Sequence, residues 1–137
     1  PQSPGLVPEA TARRALELGF GLDYDAVHKH MVIAKLWKMK PKDKQFTVNK
    51  WHKRLFFLDR EGGRLLLCRD PAKRRFFHIT KDHVLMPRVV NAFSVIRVTK
   101  CLTPDGTEPV SHASFEIVWQ PHPSLPNKLM TLCCKSE

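Results

Sequence analysis

The sequence lacks most of the features that mark enzymes and membrane proteins. No stretch approaches the roughly 20 consecutive apolar residues that a membrane-spanning helix requires. The glycine-rich nucleotide loops, the G-x-S-x-G nucleophile turn and the H-E-x-x-H zinc motif are all missing. No paired carboxylates stand in a setting typical of acid–base catalysis. We therefore expect a protein without catalytic activity and, since the first residues lack the features of a secretory signal, a cytoplasmic one.

Cysteine is scarce and shows no metal-binding spacing. The four cysteines, at positions 68, 101, 133 and 134, include no C-x-x-C pair. We expect them to be small apolar side chains in the interior of a protein from a reducing compartment. The seven histidines are scattered, and no cluster of cysteines or carboxylates completes a metal site beside them. The sequence thus predicts neither a metal nor another cofactor.

Positive charge is in excess, and the excess is local. The chain of 137 residues carries 23 lysines and arginines against 13 acidic residues, a net charge of +10. Residues 35–75 hold 14 of the basic and 4 of the acidic residues, so the rest of the chain is neutral. A concentrated basic surface attracts anions, whereas an evenly spread one mainly serves solubility. The candidate partners are acidic protein segments, anionic lipid head groups and nucleic acid.

A short helical region is predicted ahead of a series of strands. Residues 8–20 are typical of a helix that begins at Pro8 and ends near Gly19, and residues 23–30 of one or two further turns. Segments rich in β-branched and aromatic residues, separated by turn signals, then predict seven strands. The strands are expected at residues 31–39, 50–59, 64–69, 74–80, 92–102, 114–120 and 129–134.

Seven short strands with no helices between them indicate a mainly β fold, an antiparallel sandwich or a partly open barrel. We divide the chain into a linker (residues 1–7), an N-terminal helical extension (8–30) and a β domain (31–137). Trp51 is expected in the core or at the rim of the barrel rather than in contact with a ligand. Phe56 and Phe57 are adjacent and must face opposite ways, so we expect one in the core and the other partly exposed or covered by the helical extension.

The order of residues over positions 32–137 resembles that of the pleckstrin-homology (PH) domains. In that family a first strand ends in a lysine before a variable basic loop, and the matching residues here are Ala34-Lys35-Leu36-Trp37-Lys38. The second strand of the family combines a tryptophan, basic residues and aromatic residues, and here reads Trp51-His52-Lys53-Arg54-Leu55-Phe56-Phe57-Leu58. The later segment Phe115-Glu116-Ile117-Val118 and residues 130–134 are similar to the family's late and last strands.

The resemblance implies a bent, seven-stranded PH-like sandwich whose first three loops form a positively polarised mouth. Members of the family close the other end of the sandwich with a C-terminal helix. We expect this sequence to stop at the start of that helix, so that the helix is truncated. The resemblance also implies ligand-binding roles by position, because the first-strand lysine and two basic second-strand positions contact phosphates in members that bind phosphoinositides. The corresponding residues are Lys38, His52 and Arg54, with the loop lysines Lys40, Lys42 and Lys44 as helpers and Lys73, Arg74 and Arg75 as accessory basic residues.

Strand alternation predicts that His52 and Arg54 share one face and that Lys53 lies on the other. His52 departs from the family pattern, since lipid-binding members have lysine or arginine at this position. With an ordinary pKa of about 6.5, a histidine there is mostly neutral at pH 7. A nearby phosphate raises that pKa, so we expect ligand binding to strengthen in acid.

Two functions remain open. The first is a non-catalytic, PH-like adaptor that docks on an acidic protein surface within a larger signalling or cytoskeletal assembly. The alternative is a phosphoinositide-dependent module that targets a membrane, in which case the cytoplasmic protein associates with the membrane periphery. Nucleic acid is not the expected partner, because the glycine and aromatic alternation of RNA-binding sheets is missing.

Overall fold

Seven antiparallel strands form one continuous sheet in the described part of the chain. The computed structural model describes residues 7–39, 51–71, 85–101 and 114–133. The strands are β1 (Met31–Met39), β2 (Trp51–Asp59), β3 (Arg64–Cys68), β4 (Arg88–Asn91), β5 (Val95–Cys101), β6 (Ser114–Trp119) and β7 (Lys128–Cys133). Their order across the sheet is β4-β3-β2-β1-β7-β6-β5. The prediction of a mainly β fold with seven antiparallel strands is confirmed.

The sheet consists of two halves and is not closed into a barrel. Strands β4 and β5 lie at its two ends, and no pairing between them occurs within the described residues. Within the described residues, strand β1 pairs with β2 over nine residues and with β7 at Trp37↔Cys133 and Lys38↔Leu132. The junction with β7 joins a half made of β1–β4 to a half made of β5–β7.

One apolar core lies between the two halves of the sheet, and we call it the inner core. It combines residues from both halves, which requires the sheet to bend over itself. Its buried members are Phe56, Leu67 and Val90 from β2–β4, and Ile117, Met130 and Leu132 from β6 and β7.

The N-terminal residues are helical, as predicted. Helix α1 (Glu9–Arg14) begins directly after Pro8 and continues as a π-helical turn (Ala15–Gly19). Helix α2 (Tyr24–Val27) follows and leads into a 3-10 turn (His28–His30). The carboxylate of Asp23 caps α2 by accepting a hydrogen bond from the N–H of Asp25 at 3.2 Å. None of the described helices is long and apolar enough to span a membrane.

Arg13 fastens the two helices together. Its guanidinium donates to both carboxylate oxygens of Asp25, at 2.8 and 3.0 Å, and lies 4.6 Å from the centre of the Tyr24 ring. The two parallel hydrogen bonds and the charge of Arg13 hold the pKa of Asp25 below its ordinary value. This contact fixes the position of α2 relative to α1.

The helical segment covers a second core on the opposite face of the sheet, which we call the outer core. Ala12, Ala15 and Leu16 pack there against Leu55 and Phe57 of β2 and against Leu66 and Cys68 of β3. The ring of Phe20 meets that of Phe57 edge to face, with centroids 6.3 Å apart. Both faces of β2 are therefore buried along its central residues.

Burial on both faces accounts for the aromatic pair on β2. Phe56 enters the inner core and Phe57 the outer core, and neither is exposed. The prediction that they face opposite ways is confirmed, and the helical extension is what covers the second of them. Of the two positions predicted for Trp51, the core and the rim, the structure shows the core, since only 1% of this residue is accessible to solvent.

The predicted fourth and fifth strands differ from the strands that the structure describes between β3 and β6. Residues 74–80, expected as the fourth strand, lie outside the described residues. Strand β4 instead occupies Arg88–Asn91, where the sequence predicted no element. The prediction of a strand over residues 92–94 is wrong, because this segment forms the 3-10 turn that carries the chain from β4 to β5. The turn is held by Ala92, whose N–H donates to the carbonyl of Gly63 at 2.8 Å.

Replacing Leu16 tests whether the helical segment is an integral part of the fold. Leu16→Ala is expected to lower the free energy of unfolding by about 2–5 kcal/mol, because it leaves a cavity where a fully buried side chain meets the sheet. Leu18 is 44% exposed on the same segment, so Leu18→Ala should cost less than about 1 kcal/mol. Urea denaturation measures both values. Equal and small losses would contradict the packing of this segment on β2 and β3.

Candidate anion-binding cluster

The pairing of β1 with β2 brings the predicted ligand residues together. Lys38 lies directly opposite His52, and opposed residues share a face of the sheet. Arg54 is two residues further along β2 and therefore lies on the same face. All three side chains are partly buried. The prediction that His52 and Arg54 share a face is confirmed.

Lys53 points to the other face, as predicted. It lies directly opposite Trp37 in the strand pairing, and its ammonium is 5.0 Å from the centre of the indole ring. The attraction between a cation and an aromatic ring holds the lysine stem along this face. Lys53 is thus separated from the other basic residues of β2 by the sheet itself.

Hydrogen bonds orient the guanidinium of Arg54. Its Nη2 donates to Nδ1 of His52 at 3.1 Å, and its Nη1 donates to the carbonyl oxygen of Lys53 at 2.8 Å. Because arginine can only donate, Nδ1 of His52 must accept, which places the proton of the neutral imidazole on Nε2. A second proton on the ring would occupy Nδ1 and break this contact. The expectation that ligand binding strengthens in acid concerns the complex with a phosphate and remains a prediction.

Arg88 on β4 adds a fourth basic side chain. Arg88 lies opposite Leu67, which lies opposite Phe56, so all three residues share the inner face of the sheet. Burial of Lys38 and, after it, the charges of Arg54 and Arg88 lower the pKa of the Lys38 ammonium below its ordinary value of 10.5. We call Lys38, His52, Arg54 and Arg88 the basic cluster.

The basic cluster borders the inner core. Lys38 has Leu132 of β7 as its second cross-strand neighbour, and Leu36, two residues before it, packs against the same core. Apolar neighbours exclude water from one side of the ammonium, which weakens its hydration. An anion that reaches the cluster replaces part of that lost hydration and offsets the repulsion among the cations.

Other basic residues of the 35–75 stretch are neutralised within the fold. The ammonium of Lys35 lies 3.0 Å from the carboxylate of Asp70, and Nε of Arg64 lies 2.9 Å from that of Asp59. Both carboxylates are buried. The described basic side chains of this stretch are therefore divided between internal ion pairs, the outer face and the basic cluster.

Six further predicted site residues lie outside the described residues, and their roles remain predictions. They are Lys40, Lys42, Lys44, Lys73, Arg74 and Arg75.

The sequence analysis missed Arg88. The short run Arg88-Val89-Val90-Asn91 is below the usual strand length. A signal was nonetheless present, because two consecutive valines that follow Pro87 and Arg88 are typical of a short edge strand.

The two described cysteine side chains are buried thiols. Cys68 packs in the outer core, and Cys133 on β7 has no accessible surface. Burial, with the nearby charge of Asp70, raises the pKa of Cys68 to about 12, so this thiol does not ionise near neutral pH. Both agree with the prediction of interior apolar cysteines. Within the described ranges, no three His, Cys, Asp or Glu side chains are grouped in a way that could hold a metal ion.

Comparison with known proteins adds no family to these observations. The chain matches no protein-family model, no curated protein sequence and no solved structure.

The hydrogen bonds of Asp59 predict how the stability of the fold depends on pH. Its carboxylate accepts hydrogen bonds from the N–H of Gly62 and from Nε of Arg64, both at 2.9 Å. The Gly62 bond first, and then Arg64, hold the pKa of Asp59 below its ordinary value of 3.8 despite its burial. Because the folded pKa is lower than the unfolded one, the stabilisation is complete above about pH 4 and is lost as the pH falls through the folded value.

Asp59→Asn should therefore lower the free energy of unfolding at neutral pH, and its difference from the wild type should shrink as the pH falls below about 4. Urea denaturation across this pH range measures the difference. Glu61→Gln, at an exposed position of the same turn, is the control and should show a smaller dependence. A difference for Asp59→Asn that does not change with pH would contradict the assigned hydrogen bonds.

Proposed function

We propose that this chain is a non-catalytic binding module whose basic cluster docks on an acidic surface of a partner protein. The observation that supports this most directly is the environment of Lys38, a half-buried ammonium placed near Arg54 and Arg88 with a lowered pKa. Like charges held together at the border of an apolar core are unfavourable for the isolated fold. They become favourable when an anionic partner is bound, which is the arrangement expected of a recognition site.

The resemblance to PH domains agrees with this proposal, since many members of that family dock on proteins and bind no lipid with useful affinity. The partner surface would need carboxylates spaced to meet Lys38 and Arg88 on the inner face of the sheet. An adaptor of this kind works inside a larger signalling or cytoskeletal assembly.

A phosphoinositide head group is the second candidate ligand. Several cations around one lysine suit a compact ring that carries more than one phosphate. The identity of His52 counts against it, because lipid-binding members of the PH family have lysine or arginine at this position. The contacts of Arg54 do not discriminate between the two ligands, since its bonds to Lys53 and His52 use two of the five N–H groups of the guanidinium.

The test compares two anionic probes on the same variants. Lys38→Met should weaken binding of a fluorescent, glutamate-rich peptide about fivefold, since a basic residue near an anionic surface contributes about 1 kcal/mol. Arg88→Gln should have a similar effect. Arg60→Gln removes the same charge from the turn between β2 and β3 and serves as the matched control, with little change expected. Fluorescence anisotropy measures the three affinities.

The free energy of unfolding distinguishes a variant that has lost the binding site from one that has lost the fold. Lys38→Met should raise the free energy of unfolding by about 0.5–2 kcal/mol, because it removes a like-charge contact from a half-buried position. Weaker peptide binding in a more stable variant supports the proposal. Unchanged peptide binding, together with vesicle flotation that requires a phosphoinositide and is lost in Lys38→Met, would instead assign the cluster to the lipid.

A further inference from the structure

Strand β5 forms a long outer edge of the sheet. It has seven residues and pairs with β6 on one side, and it stands last in the strand order, with no strand beyond it in the described sheet. The opposite edge, β4, has only four residues. Many proteins keep their edge strands short, which prevents pairing with other chains. Strand β5 is not short in this sense.

Two apolar side chains of β5 are exposed. Ile96 and Val98 keep 52% and 61% of their surface accessible, and Phe93, in the turn that leads into the strand, keeps 88%. The strand contains no proline, and its one irregularity of register lies at its start, between Val95 and Arg97. A long, β-branched and exposed edge of this kind is a template for an added strand.

The charge on β5 determines which kind of strand can pair with it. Arg97 is exposed and lies next to Val98, so the two side chains point to opposite faces of β5. Pairing between two copies of this edge would place two β5 strands that each contain Arg97 side by side, on chains that each carry a net charge of +10. Like charges on paired strands are destabilising. An acidic strand from another protein is favoured by the same charges.

We propose that β5 accepts an extended acidic peptide of a partner protein as an eighth strand of the sheet. Backbone hydrogen bonds to the outer edge of β5 provide the attachment. An apolar side chain of the peptide contacts Val98, and a carboxylate on the opposite face meets Arg97. The recognised segment is thus an alternating sequence of β-branched and acidic residues. This site lies on β5 alone and does not require the basic cluster.

The probe for this proposal is a seven-residue peptide of alternating valine and glutamate, capped at both ends and equal in length to β5. Titration into the ¹⁵N-labelled full chain should shift the backbone amides of β5 and β6, with a dissociation constant below about 1 mM. The same peptide with N-methylated backbone amides keeps its side chains but cannot pair, and it should not bind. Amide shifts confined to residues outside β5 and β6 would overturn the proposal.

Variants test each part of the contact. Arg97→Glu should weaken the valine–glutamate peptide about fivefold and should bind a valine–lysine peptide in its place. Val98→Lys should weaken binding further, whereas Val89→Lys, at an exposed valine on the other edge strand, is the matched control and should leave it unchanged. Loss of affinity in Val89→Lys to the same degree, or none in Val98→Lys, would contradict binding at β5.

The basic cluster must be separated from β5 in this experiment, since both attract acidic peptides. The dissociation constant at β5 is therefore fitted from the shifts of the β5 amides alone, separately from the shifts around Lys38 and Arg54. Shifts centred on Lys38 and Arg54, abolished by Lys38→Met, would assign the peptide to the basic cluster and reject the β5 site. Sedimentation that finds a dimer of the wild type, lost in Val98→Lys, would also reject it, because a second copy would then occupy the edge.

Discussion

The antiparallel pairing of β1 with β2 fixes the positions of both cores and of the basic cluster. Nine opposed pairs, from Met31↔Asp59 to Met39↔Trp51, determine which side chains lie on each face. A slip of one residue would exchange the faces of all side chains on one strand. It would move Phe57 from beneath the helical segment and replace Arg54 by Lys53 beside Lys38. Because both faces of β2 are buried, neither core can tolerate such a slip, and the register of the cluster is held by packing on both sides.

The basic cluster lowers the stability of the folded state locally, and the packing of the surrounding apolar residues offsets this loss. Lys38 lies two residues after Leu36 on β1, and Arg54 lies two residues before Phe56 on β2, so all four share the inner face. Phe56 is buried in the inner core and Leu36 packs against it. The apolar residues hold the strand, and the strand in turn holds the cations near one another. Stability alone would favour an apolar side chain at position 38. The presence of a half-buried lysine there, in spite of its cost in stability, is the physical basis for the binding role proposed above.

The sequence predicted the strands that carry alternating or continuous apolar residues, and β1, β2 and β3 lie close to their expected positions. It also predicted the shared face of His52 and Arg54, because alternation along a strand is a local property. It could not predict Arg88, whose contribution depends on a four-residue strand brought near Lys38 by the curvature of the sheet. Nor could composition alone show that Lys35 and Arg64 are neutralised, since their partners Asp70 and Asp59 are identified only by the folded contacts.

The central claim is that Lys38 lies among cations at the border of the inner core, and its own titration tests this most directly. NMR of the selectively labelled side chain measures the pKa of the Lys38 ammonium in the folded protein. The account predicts a value below 10.5 in the wild type and a rise toward 10.5 in Arg88→Gln, because the Coulomb repulsion from Arg88 is removed. A wild-type value at or above 10.5 that does not respond to Arg88→Gln would contradict the existence of the basic cluster.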